Sequence, residues 1–358
     1  MLKKSLNIGL LALLGSPWIS AAAPTPDFDA AYDAFEQALH TGENVQQHAQ
    51  TAYEVGLSTF GETSPAVAKL AINYANAITP SPTNAQQRAT LYRQALTILE
   101  QQPNPDPLSL IDPLMGIAKS ADKAHTVEKA IERAIDIAKQ QQKPKLVADL
   151  KVDGAEIYFR RLDFDKGRAA VVYLNEAEAY YQAHIADDTV EMINVTMLLG
   201  AVDKARGRRH TAIERFNKVV NIFDDNFSFD HPAELQAHSQ LVALYEQEGE
   251  SEQATKHCVA IAKMRPWTKN QEQTPLYRTP PRYPAIAVRQ RREGWVQMEF
   301  TVNESGFVED VSVLDSDGSA AFERAAVNAV KQWRYAPKFE NNQAVKAKTS
   351  VQLDFKIG

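Results

Sequence analysis

The chain has 358 residues and a formal net charge of −6, with 23% charged and 44% hydrophobic residues and a single cysteine. That length accommodates two or three domains with their own cores. The mild acidity and the scatter of its Lys and Arg residues argue against a nucleic-acid partner, and one cysteine excludes an internal disulfide framework.

The N-terminus opens with Lys3-Lys4, continues through an apolar run from Leu6 to Leu14 and ends in Ser20-Ala21-Ala22-Ala23. A basic start, a short apolar core and a small-residue end describe a secretory signal over residues 1–22, cleaved after Ala22. The chain is then expected in the periplasm. The alternative is a retained anchor, which makes the protein single-pass in the inner membrane and exposed on the periplasmic side. Asn7, Gly9, Gly15 and Pro17 interrupt the run and weigh against it.

Residues 27–266 read as an all-α array, with apolar residues at helical spacing. Helices are predicted to open near Pro65, Asp106, Leu146, Thr189 and Pro232, about 40 to 43 residues apart. That period indicates five or six stacked helix pairs rather than one bundle. The pair from Pro65 through Tyr74 and Ala75 to Ala95 and Leu99 resembles a long tetratricopeptide repeat, and the pair from His231 to Ala260 repeats its logic. Small residues such as Ala75 and Ala95 allow close crossing, and Pro65 and Pro232 occupy first-turn positions where a proline is tolerated. Gly154 is expected to interrupt a helix. Such an array presents a platform for protein partners, with a plain spacer as the bland alternative.

Residues 267–279, polar around Thr268–Pro275, are read as a linker. No His-Glu-x-x-His, phosphate-loop or Gly-x-Ser-x-Gly motif occurs, and the eight histidines are scattered, so neither an enzyme nor a metal or other cofactor is expected. Cys258 is expected to be a small apolar residue packed between repeats.

Residues 280–358 change period. Val296, Met298, Phe300 and Val302 alternate with polar residues, as in a half-buried strand. Asn303–Gly306 supplies a turn, and Val311 and Val313 continue the alternation in a second strand. Phe322, Ala325, Ala326, Ala329, Val330 and Trp333 form one helical stripe. Val351, Leu353, Phe355 and Ile357 make a last strand. The predicted fold class is therefore α+β multidomain, with an all-α repeat array followed by a small antiparallel sheet plus helix.

The residues Tyr283-Pro284, Glu293-Gly294-x-Val296-x-x-x-Phe300-x-Val302, Gly306-x-Val308 and Ala325-Ala326-x-x-Ala329-Val330-x-x-Trp333-Arg334-Tyr335-x-Pro337 resemble the C-terminal domain of TonB-family energy transducers. The resemblance covers about a quarter of the chain. It implies that the last strand, Thr349, Ser350, Val351, Gln352, Leu353, Asp354 and Phe355, takes up the "TonB box" of TonB-dependent outer-membrane receptors by strand addition. It further implies that Arg278, Pro280, Pro281, Arg282, Tyr283 and Pro284 flank the docked peptide. A structural reading is equally open for Tyr283-Pro284, as a cap on a helix from Ala285. The resemblance points to uptake of iron-siderophore, haem or similar nutrients, with the ExbB–ExbD motor or another TonB protein as further partners. The chain departs from the family pattern in having no histidine before His40, no Pro-rich arm, and Pro280-Pro281-Arg282 without a Gln ahead of Tyr283. A periplasmic scaffold for envelope assembly is the alternative function.

Overall fold

The computed structural model describes residues 26–161, 167–226, 231–265, 267 and 273–357. The expected signal and the middle of the expected linker lie outside them. Among the described residues, no helix is long and apolar enough to cross a membrane. The chain divides into two compact units, residues 1–181 and 182–358, so its structural division does not follow the boundary between array and tail.

Among the described residues of the first unit the elements are all helical: α1 Pro26–Thr41, α2 Val45–Phe60, α3 Pro65–Ala77, α4 Ala85–Glu100, a 3₁₀ turn Pro107–Leu110, α5 Ile111–Ser120, α6 Ala124–Gln140 and α7 Pro144–Arg161, with α8, Gly167–His184, carrying the chain across the division. The helix starts follow the predicted period because each carries its own start signal. Ser64 Oγ accepts from the Ala66 N–H, Asp106 Oδ1 accepts from Leu108, and Pro65 sits in the first turn. Ala75 and Ala95 are fully buried, which brings α3 and α4 together, and Arg88 spans the pair by donating to the Ala75 carbonyl.

Gly154 does not break α7, which runs through it. A Cβ there would lie 2.8 Å from the Ile131 Cγ2 methyl. The glycine is a contact point where α6 and α7 approach, and a helix tolerates one such residue at a cost of about 1 kcal/mol.

In the second unit, α9 Val190–Ala205, α10 Arg209–Asn226, α11 Pro232–Glu248 and α12 Ser251–Met264 continue the paired pattern. The starts of α9 and α11 fall where the period placed them, capped by Thr189 and His231. Cys258 is buried as expected, but with Val242 and Ile261 of its own helix pair and against Leu276, Tyr277 and Ala336 of the tail, not between two repeats.

The tail then forms α13 Ala285–Arg289, β1 Gly294–Val302, β2 Val308–Asp317, α14 Ala320–Val330, β3 Lys338–Glu340, β4 Gln343–Val345 and β5 Ala347–Phe355. The antiparallel sheet runs β2-β1-β5, while β3 and β4 form a separate two-stranded hairpin. Val296, Met298, Phe300 and Val302 point into one core with Phe322, Ala326, Val330 and Trp333, so the predicted inward faces of strand and helix meet. The β1–β2 turn has Gly306 at φ +81°, and an added Cβ would strike the Tyr335 carbonyl.

Three details differ from the sequence reading. The β1–β2 register shifts twice, between Gln297 and Met298 and between Glu299 and Thr301, so the alternation in β2 fails and Val313 is 36% exposed. Trp333 is buried but lies beyond the end of α14, and Ile357 lies beyond β5 and is exposed. The β3–β4 hairpin, with Asn341 and Asn342 in left-handed turn conformations, was not anticipated.

Candidate functional site: the β5 edge and its approach

β5 pairs with β1 along its whole length, from Ala347 opposite Val302 to Phe355 opposite Gly294. No other described strand pairs with it, so its second edge keeps a row of main-chain donors and acceptors open. Leu353 and Phe355 are buried in the domain core, and Thr349 and Val351 are half-buried. Ser350, Gln352 and Asp354 face outward and are exposed, as the period-2 pattern requires. The strand is pinned at both ends. Lys346 donates to Glu309 at 2.9 Å, Lys348 donates to Glu299 at 3.0 Å, and the Ile357 N–H donates to Glu293 at 2.8 Å. Hydrogen bonds from Asn303 and then Lys346 hold the Glu309 carboxyl below the usual range. A pinned strand with one free edge presents its hydrogen-bonding groups at a fixed spacing, which is what strand addition requires.

The approach residues divide into two groups. Tyr283 is a packing residue: its ring meets Phe322 and Phe355 edge-on, each at 5.6 Å, and its hydroxyl donates to the Arg292 carbonyl at 2.7 Å. Pro284 is the cap of α13, its carbonyl accepting from Ala287 and Val288. The capping role is therefore observed, and Tyr283 also places this segment against the last residue of β5. Arg278 lies over the Trp333 ring, 5.5 Å from its centroid, while the Trp333 indole donates to the Thr279 carbonyl. Pro280 and Arg282 are exposed and Pro281 is half-buried.

Among the described residues of the expected linker, Trp267, Leu276 and Tyr277 take part in the domain. Trp267 packs on the sheet–helix core and donates to the Ala336 carbonyl at 2.9 Å. The Leu276 and Tyr277 N–H groups donate to the Arg334 carbonyl, and the Arg334 N–H donates to the Tyr277 carbonyl. Polar composition around Thr268–Pro275 hid these anchors at either side.

Sequence reasoning missed the surroundings of Arg334. Its guanidinium is 1% exposed, donates to Glu246 on α11, to Thr255 Oγ1 on α12 and to the Ser305 carbonyl, and lies 3.7 Å from the Phe307 ring centroid. Cys258 lies beneath this contact, and burial pushes its thiol up to about 12. The Trp333-Arg334-Tyr335 motif entered the sequence reading only as part of the family resemblance, and no signal in the sequence paired its arginine with Glu246. A second missed pair is His238 and His257, whose Nδ1 atoms are 2.8 Å apart.

Comparison with known proteins bears on this domain. Residues 279–357 match the family described as Gram-negative bacterial TonB protein C-terminal. Protein tonB2 of Pseudomonas aeruginosa is 38% identical over 82 residues, 23% of this chain and 30% of that protein. Protein TonB of Escherichia coli K12 is 42% identical over 62 residues, 17% of this chain and 26% of that protein. The solution structure of the Pseudomonas aeruginosa TonB C-terminal domain aligns with 25% of this chain and 90% of its own, at 31% identity and a TM-score of 0.22. The chain thus spans less than a third of the length of these curated relatives.

Proposed function

Because residues 279–357 form a domain of the TonB C-terminal type, we propose that this protein takes part in TonB-dependent transport across the outer membrane. β5 takes up the TonB box of a receptor as an added strand, over Thr349–Phe355, with Arg278–Pro284 beside it. The helical array is the platform for a second protein. The cargo is a scarce nutrient such as an iron-siderophore or haem, and the protein works from the periplasm. A retained N-terminal anchor would place it in the inner membrane instead, beside an ExbB–ExbD motor or another TonB protein. It binds and positions, and performs no covalent chemistry.

The observation that carries this reading is that β5 pairs along its full length with β1 and with no other described strand. Main-chain pairing of this kind tolerates sequence variation in the captured segment, which suits one protein serving several receptors. Isothermal titration of the full chain with a receptor-box peptide tests it, and micromolar affinity is expected.

A second reading is a periplasmic scaffold for envelope assembly. The buried Arg334–Glu246 contact favours it, because it joins the domain to the last helix pair instead of leaving it free to range. No affinity for any receptor-box peptide would turn the assignment toward that role.

A further inference from the structure

We propose that the short helix α13 and the arginines around it are a docking surface for an anionic phospholipid bilayer, an interaction separate from strand capture at β5. Ile286 and Val288 on α13 are 62% and 51% exposed. These branched aliphatic side chains have no packing role on the domain core, where Ala287 alone of this helix is buried. Arg289 ends α13 and Arg291 and Arg292 follow it, all exposed and none in an ion pair with a described carboxylate. Between Arg278 and Arg292 the chain carries no Asp or Glu at all. The Tyr283 hydroxyl donates to the Arg292 carbonyl and thereby ties the segment after α13 back to the domain core. Glu293, the next residue, is engaged with the Ile357 N–H.

The sign of this patch is local, since the whole chain carries −6. Exposed aliphatics followed by guanidiniums match the interface of a bilayer, where phosphates meet the cations and the acyl boundary takes the apolar tips. A salt-bridged protein interface is matched less well, because Ile286 and Val288 stand two residues apart on a single turn and project in different directions. A deformable surface accommodates both at once. Arginine also binds phosphate in bidentate fashion and holds its charge at any relevant pH.

The test is co-sedimentation of the full chain with phosphatidylglycerol–phosphatidylethanolamine vesicles and with phosphatidylcholine vesicles. Binding to the anionic vesicles alone is expected, weakened by salt. Replacing Arg289, Arg291 and Arg292 by Gln is expected to weaken it by roughly 100-fold, at about fivefold per arginine. Ile286→Ser with Val288→Ser is expected to reduce the binding that survives high salt. The variants keep the apolar run Leu6–Leu14, so any contribution from that segment is common to all samples. Failure to bind anionic vesicles, or undiminished binding by the triple Gln variant, would overturn the proposal. Displacement of the patch by poly-glutamate without any vesicle affinity would overturn it too, in favour of an acidic protein partner. Receptor-box peptide affinity of the triple Gln variant, measured without vesicles, reports separately on β5 and on folding.

Discussion

The guanidinium of Arg334 is buried against the carboxylate of Glu246, a residue 88 positions earlier on the last pair of repeat helices. A charge this enclosed is stabilising only while its partner and its hydrogen bonds remain. Thr255 Oγ1 and the Ser305 carbonyl accept from its Nη2 atom, while Nε is buried without an acceptor among the described residues. Within this unit the sheet–helix domain is therefore not a bead on a string, and Arg334 ties its β1–β2 turn to the helices.

Removing one partner leaves the other charge uncompensated. Glu246→Ala is expected to cost about 3–5 kcal/mol in denaturant unfolding. It is also expected to open the contact locally, which Cys258 reports as the sole thiol. In the wild type, burial should make Cys258 inert to thiol reagents, and the variant should label faster. Replacing both residues with apolar ones, Glu246→Leu with Arg334→Met, should recover part of the loss, since the pair's desolvation cost disappears with it. Slow labelling in Glu246→Ala would show that the ion pair does not hold the two parts together.

Adjacent residues of an antiparallel edge strand alternate in facing the neighbour and facing outward. Proline at Val351 and proline at Gln352 should accordingly behave differently. One substitution removes a ladder bond to β1 and destabilises the domain. The other should leave circular dichroism and thermal melting nearly unchanged yet lower receptor-box affinity at least tenfold, by removing an outward N–H and adding ring bulk. Two folded variants with unaltered affinity would remove β5 as the capture strand.

His238 and His257 contact each other through their Nδ1 atoms in the last helix pair. Burial, then the neighbouring His238 and Lys256, lower His257 to about 4, and burial also lowers His238, against a smaller opposing effect of Asp224. Glu234 lies 3.9 Å from His238 and accompanies the pair. A depressed histidine binds its proton less well folded than unfolded. The stability it contributes is complete above the unfolded value near 6.5 and is lost as pH falls toward 4. Between pH 7 and pH 4.5 this site alone should cost about 2 kcal/mol. Thermal melts across that range, compared with His257→Asn, should show a shallower pH dependence in the variant.

Gly154→Ala in α7 weighs helix propensity against space. Alanine is favoured by about 1 kcal/mol in a free helix. The added methyl meets the fully buried Ile131 at 2.8 Å, and crowding a packed core costs about 1–3 kcal/mol. A net loss of about 1 kcal/mol in urea unfolding is expected. A gain would mean that α6 and α7 separate at little cost.

The helical array, its period, and the alternating faces of β1 and β5 were all legible in the residues. Each of these features depends on neighbours a few positions apart: a cap at Thr189, a proline at position 65 or 232, an apolar residue at every second place from Val296 to Val302. Local pattern determines local structure, so the sequence suffices there. The tertiary structure alone decided the register shifts that turn Val313 outward, the engagement of Trp267, Leu276 and Tyr277 with the domain, and the partnership of Arg334 with Glu246. These depend on which surfaces meet after the elements have formed. A charge on a helix carries the same letter whether it faces water or a buried guanidinium, and only the fold distinguishes the two.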